Sequence, residues 1–221
     1  MLAVRLEGIR KSYKQGNQSL QALRDINLDI EQGAFVVIKG ESGSGKSTLL
    51  NIIGCMDVPD GGQISIQGQA VQNLKDHQLT LIRRRHVGFV FQSFNLLPAL
   101  TALENVEYPL YLNGVPERRK RAADALREVG LGEHLHKRPN QLSGGQAQRV
   151  AIARAMVNKP DLILADEPTA NLDSKTSDTL VALMENLNHR HGLTFVMVTH
   201  GHHFPEHAQI VNIKDGIIDA T

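Results

Sequence analysis

The string Gly40-Glu41-Ser42-Gly43-Ser44-Gly45-Lys46-Ser47 constrains this chain more than any other, because of what stands on either side of it. It follows an apolar run of strand formers, Ala34-Phe35-Val36-Val37-Ile38, and opens the helical run Thr48-Leu49-Leu50-Asn51-Ile52-Ile53. A strand, a glycine-rich turn and a helix in that order make a P-loop. The glycines let successive backbone N–H groups converge on phosphate oxygens, and the helix N-terminus adds partial positive charge. Gly40, Ser42, Gly43, Ser44, Gly45 and Thr48 are therefore expected to line a phosphate site. Lys46 is expected to reach the β- and γ-phosphates of a nucleotide, and the Ser47 hydroxyl to ligate Mg²⁺. Far downstream stands a second glycine-rich string, Leu142-Ser143-Gly144-Gly145-Gln146, which reads as another phosphate clamp.

Asp161-Leu162-Ile163-Leu164-Ala165-Asp166-Glu167 reads as a buried parallel strand ending in two carboxylates. An acid at such a strand end holds the Mg²⁺ shell, which is the role expected of Asp166. Glu167, next along, is the candidate general base toward an attacking water. Two adjacent acids alone would be an ordinary strand-end turn; the apolar run before them and the P-loop upstream favour chemistry.

The string Leu142–Gln146 resembles the signature of the ATP-binding cassette (ABC) ATPases, and the resemblance covers essentially all 221 residues. It implies ATP and Mg²⁺ as cofactors, with Ser143, Gly144, Gly145 and Gln146 contacting nucleotide. Gln92, after the short apolar strand Phe89-Val90-Phe91, resembles the Q-loop glutamine that serves both catalysis and the metal shell. Asn171-Leu172-Asp173 resembles the D-loop, which brings Asp173 to the nucleotide. His200 ends the strand Thr194-Phe195-Val196-Met197-Val198-Thr199 and resembles the switch histidine that contacts the γ-phosphate. Tyr13, in Lys11-Ser12-Tyr13, lies where the family stacks an aromatic ring on adenine. Taken singly, Gln92 is a polar loop residue, His200 a structural histidine and Tyr13 a packing aromatic.

A formal net charge of +1 argues against broad nucleic-acid binding. Cys55 is the one cysteine, so no internal disulfide forms, as suits a reducing compartment, and it reads as a buried small hydrophobe. No apolar run approaches the ~20 residues that cross a bilayer. The opening Met1-Leu2-Ala3-Val4-Arg5-Leu6-Glu7 alternates like a strand, unlike a signal peptide. Any membrane part is expected on another chain or outside this sequence.

The fold class expected is α/β, a P-loop NTPase with a parallel-sheet core, an antiparallel β-lobe and an inserted helical lobe. Within a single nucleotide-binding domain over 1–221, residues 1–93 and 143–221 supply the core and β-lobe, and 94–142 the helical lobe. Gly61–Gly68 reads as a short strand closed by a turn. Pro98, Pro109, Pro116 and Pro139 punctuate the helical part, and a helix is expected from Gln148 through Ala155. Arg83-Arg84-Arg85 and Arg118-Arg119-Lys120-Arg121 read as solvated helix faces. His202, His203 and His207 invite a metal or haem reading, but no cysteine or carboxylate set stands at ligand spacing beside them, so they read as exposed helix and loop residues.

Gly45–Asp57, Val87–Pro98 and Arg138–Ser143 resemble more narrowly the ATPases of the macrolide exporter MacB and the lipoprotein-release ATPase LolD. That resemblance implies a separate MacB/FtsX-like permease, export or membrane extraction of a hydrophobic or amphipathic substrate, and a peripheral position on the cytoplasmic side of the inner or plasma membrane. Four positions depart from the usual wording: Gly201 where Asp follows the switch histidine, Ala147 where Gln follows the signature, Ala170 for Gly, and Glu41 for Pro. None removes a catalytic group. The signature and the P-loop are expected on different lobes, so two copies placed head-to-tail are implied, each completing the other's site. The alternative is a non-transport ABC ATPase doing mechanical or regulatory work on a protein or nucleic-acid complex. Chromosome-organising members carry long coiled coils, excision-repair members cysteine-rich zinc modules and translation members two cassettes; none of these is visible in this sequence.

Overall fold

Alternating apolar and charged residues make the N-terminal segment a long antiparallel ribbon, β1 (Leu2–Gln15) and β2 (Gln18–Glu31). The structure is a computed structural model that describes residues 1–16 and 18–219. Apolar partners face each other across the ribbon: Val4 opposite Ile30, Leu6 opposite Leu28 and Ile9 opposite Ile26. The chain then runs through β3 (Phe35–Lys39), α1 (Lys46–Ile53), β4 (Gly61–Ile66) and β5 (Gln69–Ala70). Next come α2 (Asp76–His86), β6 (Val87–Val90), α3 (Ala102–Leu112) and α4 (Arg118–Glu128). The C-terminal part holds α5 (Gly144–Met156), β7 (Leu162–Asp166), α6 (Ser174–His191), β8 (Thr194–Thr199), β9 (Gln209–Lys214) and β10 (Ile217–Asp219).

Among the described residues the strands form two sheets. One is antiparallel, in the order β2-β1-β4-β5; the other runs β10-β9-β3-β8-β7-β6 and is parallel except for the β9–β10 hairpin at its edge. Side chains of successive strand residues point to opposite faces, and the central strands use both faces for burial. Phe35, Val37, Ile163, Ala165, Phe195 and Met197 enter one core with α3, α4, α5 and α6. Val36, Ile38, Leu162, Leu164, Val196 and Val198 enter the other with the antiparallel sheet and α1. Strands apolar on both faces are what a parallel sheet covered on both sides needs. The expected α/β class, parallel core, β-lobe and helical insertion all stand.

The helical part differs in detail. α3 passes through Pro109 and ends at Leu112, whose following residue Asn113 donates its N–H to the Pro109 carbonyl at 3.2 Å. Proline is tolerated there because it removes one bond only in the last turns. The start of α3 is a capping box: the Glu104 N–H donates to Thr101 Oγ1 at 3.3 Å, and the Thr101 N–H donates to Glu104 Oε2 at 2.8 Å. The Thr101 backbone N–H and then its hydroxyl hold the Glu104 carboxyl below its usual range. Thr101→Ala is expected to lower stability by about 1 kcal/mol, the typical cost of an N-cap, read as a shifted urea midpoint at unchanged slope.

The helix expected from Gln148 begins instead at Gly144. Two glycines are poor helix formers, yet Ser143 caps the helix: the Gln146 N–H donates to Ser143 Oγ at 3.2 Å, and the Ser143 N–H donates to Gln146 Oε1 at 3.0 Å. The signature is thus the first turn of α5, with its N-terminal backbone N–H groups free of intrahelical partners.

Candidate functional site

Four parallel strands end at one edge of the sheet, and each delivers a candidate residue there. β3 runs into the P-loop, β7 into Glu167, β8 into His200, and β6 leads by one residue to Gln92. A crevice beyond the carboxyl ends of such strands is where open α/β sheets bind ligands. Here it is a cleft of about 910 Å³ lined by Tyr13, Ser42, Gly43, Gly45, Lys46, Ser47, Thr48, Gln92, Asp166, Glu167 and His200.

The P-loop is wedged so tightly that two of its glycines, Gly40 and Gly45, are steric requirements. A Cβ on Gly40 would collide with the Ile213 carbonyl and lie 2.6 Å from Ser44 Oγ. Gly45, at φ 104, faces the Ala22 carbonyl, 2.5 Å from where a Cβ would stand. Lys46 is buried and folds back over the loop, donating from Nζ to the carbonyls of Gly40 at 2.9 Å and Glu41 at 2.7 Å. Its partners are neutral carbonyls, so no carboxylate competes with an incoming phosphate.

Ser47 Oγ donates to Asp166 Oδ1 at 3.2 Å, joining two of the three expected Mg²⁺ residues; the third, Gln92, lines the same cleft. Burial, together with the charge of neighbouring Glu167, holds the Asp166 carboxyl above its usual range despite the Ser47 bond. Hard oxygen donors about 3 Å apart, one of them a partly buried acid, suit a small divalent cation such as Mg²⁺. Glu167 sits at φ 48, a left-handed conformation that costs a non-glycine residue about 1–3 kcal/mol and is held by surrounding structure. Its N–H donates to the Val198 carbonyl at 3.0 Å. Its carboxylate, with 14% of the side chain exposed, lies 2.7 Å from Nδ1 of His200, which is 68% exposed. The base candidate is sheltered and oriented by a histidine that itself opens to the cleft.

Tyr13 projects from β1 as an exposed ring, and its hydroxyl donates to Asp57 Oδ2 at 2.7 Å. Lys11 donates to Asp57 Oδ1 at 2.7 Å, and its ammonium lies 5.3 Å from the Tyr13 ring centroid. Burial and the Asp57 bond hold the Tyr13 phenol above its ordinary range.

The remaining candidates stand elsewhere. Ser143, Gly145 and Gln146 line a separate concavity of about 360 Å³ with His134, Arg149, Lys175 and Thr176, and Gly144 begins the same turn. Asp173 caps α6: the Thr176 hydroxyl and then the Thr176 N–H donate to it and hold its carboxyl below the usual range. Between the two sites, Asn171 Nδ2 donates to the Gln92 carbonyl at 3.1 Å, tying the D-loop segment to the residue after β6.

Sequence reasoning missed several cleft residues. Ala22 and Arg24 come from β2, and Asp215 and Gly216 from the β9–β10 turn. The Gly216 carbonyl accepts from the Arg24 N–H at 2.7 Å, and the Gly216 N–H donates to the Ser44 carbonyl at 3.0 Å. The Asp215-Gly216 dipeptide marks a turn, and both residues adopt positive φ, but nothing local in it says that it buttresses the P-loop.

A family model described as "ABC transporter" matches residues 23–170. An "Uncharacterized ABC transporter ATP-binding protein" of Thermotoga maritima is 52% identical, aligned over 97% of this chain and 92% of its own. A "Macrolide export ATP-binding/permease protein MacB" of Syntrophobacter fumaroxidans is 48% identical over 98% of this chain, which spans only 31% of that protein. The structure described as a dimeric post-hydrolysis state of the ATP-binding cassette MJ0796 bound to ADP and Pi, from Methanocaldococcus jannaschii, superposes with a TM-score of 0.90 at 49% identity, covering 98% of this chain and 97% of its own. The chain belongs to the ABC transporter family, as one of its ATP-binding cassettes.

Proposed function

We propose that this chain hydrolyses ATP at the Lys46–Asp166–Glu167–His200 cleft as one of two identical cassettes, and passes the resulting closing and opening to a membrane permease on a separate chain. The observation that carries this reading is the division of the nucleotide machinery between two places. The P-loop cleft has the hydrolytic groups, and the Ser143–Gln146 turn, whose Ser143 and Gln146 N–H groups close the cap, presents the Gly144 and Gly145 backbone N–H groups from a different concavity. A second copy brings that turn, and the neighbouring Asp173, over the first copy's γ-phosphate in a two-fold arrangement. MJ0796, similar to this chain over nearly its whole length, is described as dimeric with ADP and Pi.

Within each site, Lys46 exchanges its two loop carbonyls for β- and γ-phosphate oxygens, and Tyr13, fixed by Asp57, stacks on adenine. Ser47, Asp166 and Gln92 would hold Mg²⁺, which neutralises charge on the phosphates when bound. Glu167 takes the proton of the attacking water, while His200 orients that carboxylate and meets the γ-phosphate. Loss of phosphate removes the charge that both copies share, so the pair opens.

The substrate reading is coarser. Export or membrane extraction of a hydrophobic or amphipathic molecule follows from likeness to proteins named for macrolide export. Among the described residues no helix is long and apolar enough to cross a membrane, which fits a peripheral subunit on the cytoplasmic face. In the helical lobe, proposed over 94–142, Ala102, Leu103 and Val106 of the segment after Gln92 are buried in the core. Exposed apolar surface lies one turn further on, at Tyr108, Tyr111 and Leu112, with the Arg118 guanidinium 5.4 Å from the Tyr111 ring centroid. Glu104 is committed to the α3 cap, so reversing its charge would test the cap and not a partner.

The permease that co-purifies with the full chain supplies the test. The double variant Tyr108→Glu, Tyr111→Glu is expected to keep the free chain's ATPase rate and lose stimulation by the reconstituted permease. Normal stimulation by that variant, with loss on changing Arg118–Arg121, would move the contact to α4.

A further inference from the structure

The segment Gly201-His202-His203-Phe204-Pro205-Glu206-His207-Ala208 carries three imidazoles for which the hydrolytic site has no use. Apolar anchors fix its path: Pro205 and Ala208 are buried, Phe204 packs against the core, and the Lys39 ammonium lies 4.8 Å over the Phe204 ring. Those anchors lay His203 and His207 along α6. On that helix Asp178, Glu185 and His189 share one face, since their separations are close to whole turns. His203 Nδ1 lies 2.6 Å from Asp178 Oδ1, and His207 Nδ1 lies 3.1 Å from Glu185 Oε1. Glu185 Oε1 is 4.0 Å from His189 Nε2, and the His189 and His207 rings are 5.0 Å apart. The carboxylates that pair with His203 and His207 are not the adjacent Glu206 but Asp178 and Glu185 of α6.

The geometry points to a binding site for one divalent transition-metal ion, of the Zn²⁺, Co²⁺ or Ni²⁺ class, at Glu185, His189 and His207. One donor atom from each of the three residues already lies within 4.8 Å of the other two. A tetrahedral ion with bonds of about 2.0–2.1 Å separates its donors by about 3.3 Å. The observed 3.1 Å and 4.0 Å bracket that value, so the imidazole of the exposed His189 closes the set by rotation about its side chain. Two imidazoles and one carboxylate favour these metals over Mg²⁺ or Ca²⁺, which prefer all-oxygen shells. The Glu185–His189 pair needs no backbone change, because residues four apart on a helix are neighbours. His207 is pre-placed by Pro205 and Ala208 on either side of it. A bound ion would fasten to α6 the segment that begins at His200, whose ring meets Glu167. The site is separate from the Ser47–Asp166 pair and does not depend on the reading of that cleft.

The test uses the full-length chain in saturating Mg²⁺, so that the Ser47–Asp166 pair is occupied, titrated with Co²⁺ alone. Equilibrium dialysis is expected to find one Co²⁺ per chain, with visible d–d absorption and a raised melting temperature. His189→Ala and His207→Ala are each expected to weaken Co²⁺ binding by about tenfold or more, at least what loss of an outer-shell partner costs. His202→Ala should titrate as wild type. Retained ATP binding in each variant establishes that it folds. The inference is overturned if wild type holds no Co²⁺ that survives excess Mg²⁺, or if His189→Ala and His207→Ala bind as wild type. It is equally overturned if His203→Ala alone abolishes binding, which would leave Glu185 and His207 as a plain ion pair.

Discussion

Glu167→Gln is expected to lower steady-state ATP turnover by about 10²–10⁴-fold, the range general-base removal covers, while ATP affinity stays near wild type. The substitution preserves size and a hydrogen-bonding side chain beside His200 Nδ1, which lies 2.7 Å from Glu167 Oε1. It removes the ability to accept a proton from water, and with it the negative charge that helps raise the neighbouring Asp166 carboxyl. Binding is carried by Lys46, the loop amides and Tyr13, none of which Glu167 touches among the described hydrogen bonds. Phosphate release gives the rate, and equilibrium binding of a fluorescent nucleotide gives the affinity. Turnover within a few-fold of wild type would take the base role away from Glu167. A parallel loss of affinity would mean the left-handed turn at Glu167 had shifted the end of β7, and His200→Ala separates the two: it should slow turnover and lower ATP affinity only by its own γ-phosphate contact, leaving ADP affinity unchanged.

What the sequence made legible was the part whose cause is local. β3, the P-loop and α1 form one contiguous string, β7 is an apolar run ending at Asp166, and β8 is a strand-forming run, apolar over Phe195–Val198, that leads directly to His200. Each run announces a buried strand, and its last residue announces where the chain meets solvent. Propensity misled where a cap overrode it. Gly144 and Gly145 argue against helix, yet Ser143 and Gln146 close a capping box and start α5 there. Pro109 looked like a stop, but it falls late enough in α3 for the helix to run through it. Partners distant in sequence were invisible. The Asp57 bond to Tyr13, the Gly216 contacts under the P-loop and the α6 acids opposite His203 and His207 are all set by sheet order and helix docking. At the Gly201 departure the N–H donates to Thr199 Oγ1 at 2.9 Å, and a Cβ there would lie 3.3 Å from that oxygen, a tight contact that a side chain would relieve only by a small shift of Thr199.

The division of the site between two concavities gives the second large effect. The Glu167→Gln chain with ATP and Mg²⁺ is expected to sediment as a dimer, and the nucleotide-free chain as a monomer. One chain alone leaves the γ-phosphate with donors on one side only, because the Ser143–Gln146 turn faces its own concavity beside Arg149 and Lys175. Two copies supply both sides, and the gain exists only while the γ-phosphate is present. Adding Ser143→Arg is expected to abolish the ATP-induced dimer, since it fills the turn with a bulky side chain where phosphate must approach. That change also removes the α5 cap, at a cost of about 1 kcal/mol, so Ser143→Ala is the control. The control loses the cap without the bulk, and should still dimerise at raised ATP. Both variants should bind ATP as monomers, because the P-loop cleft is lined by other residues. An ATP-dependent dimer that survives Ser143→Arg would place the signature turn outside the interface. A monomer boundary identical with and without ATP in the Glu167→Gln chain would mean that closure requires the permease to hold the two cassettes together.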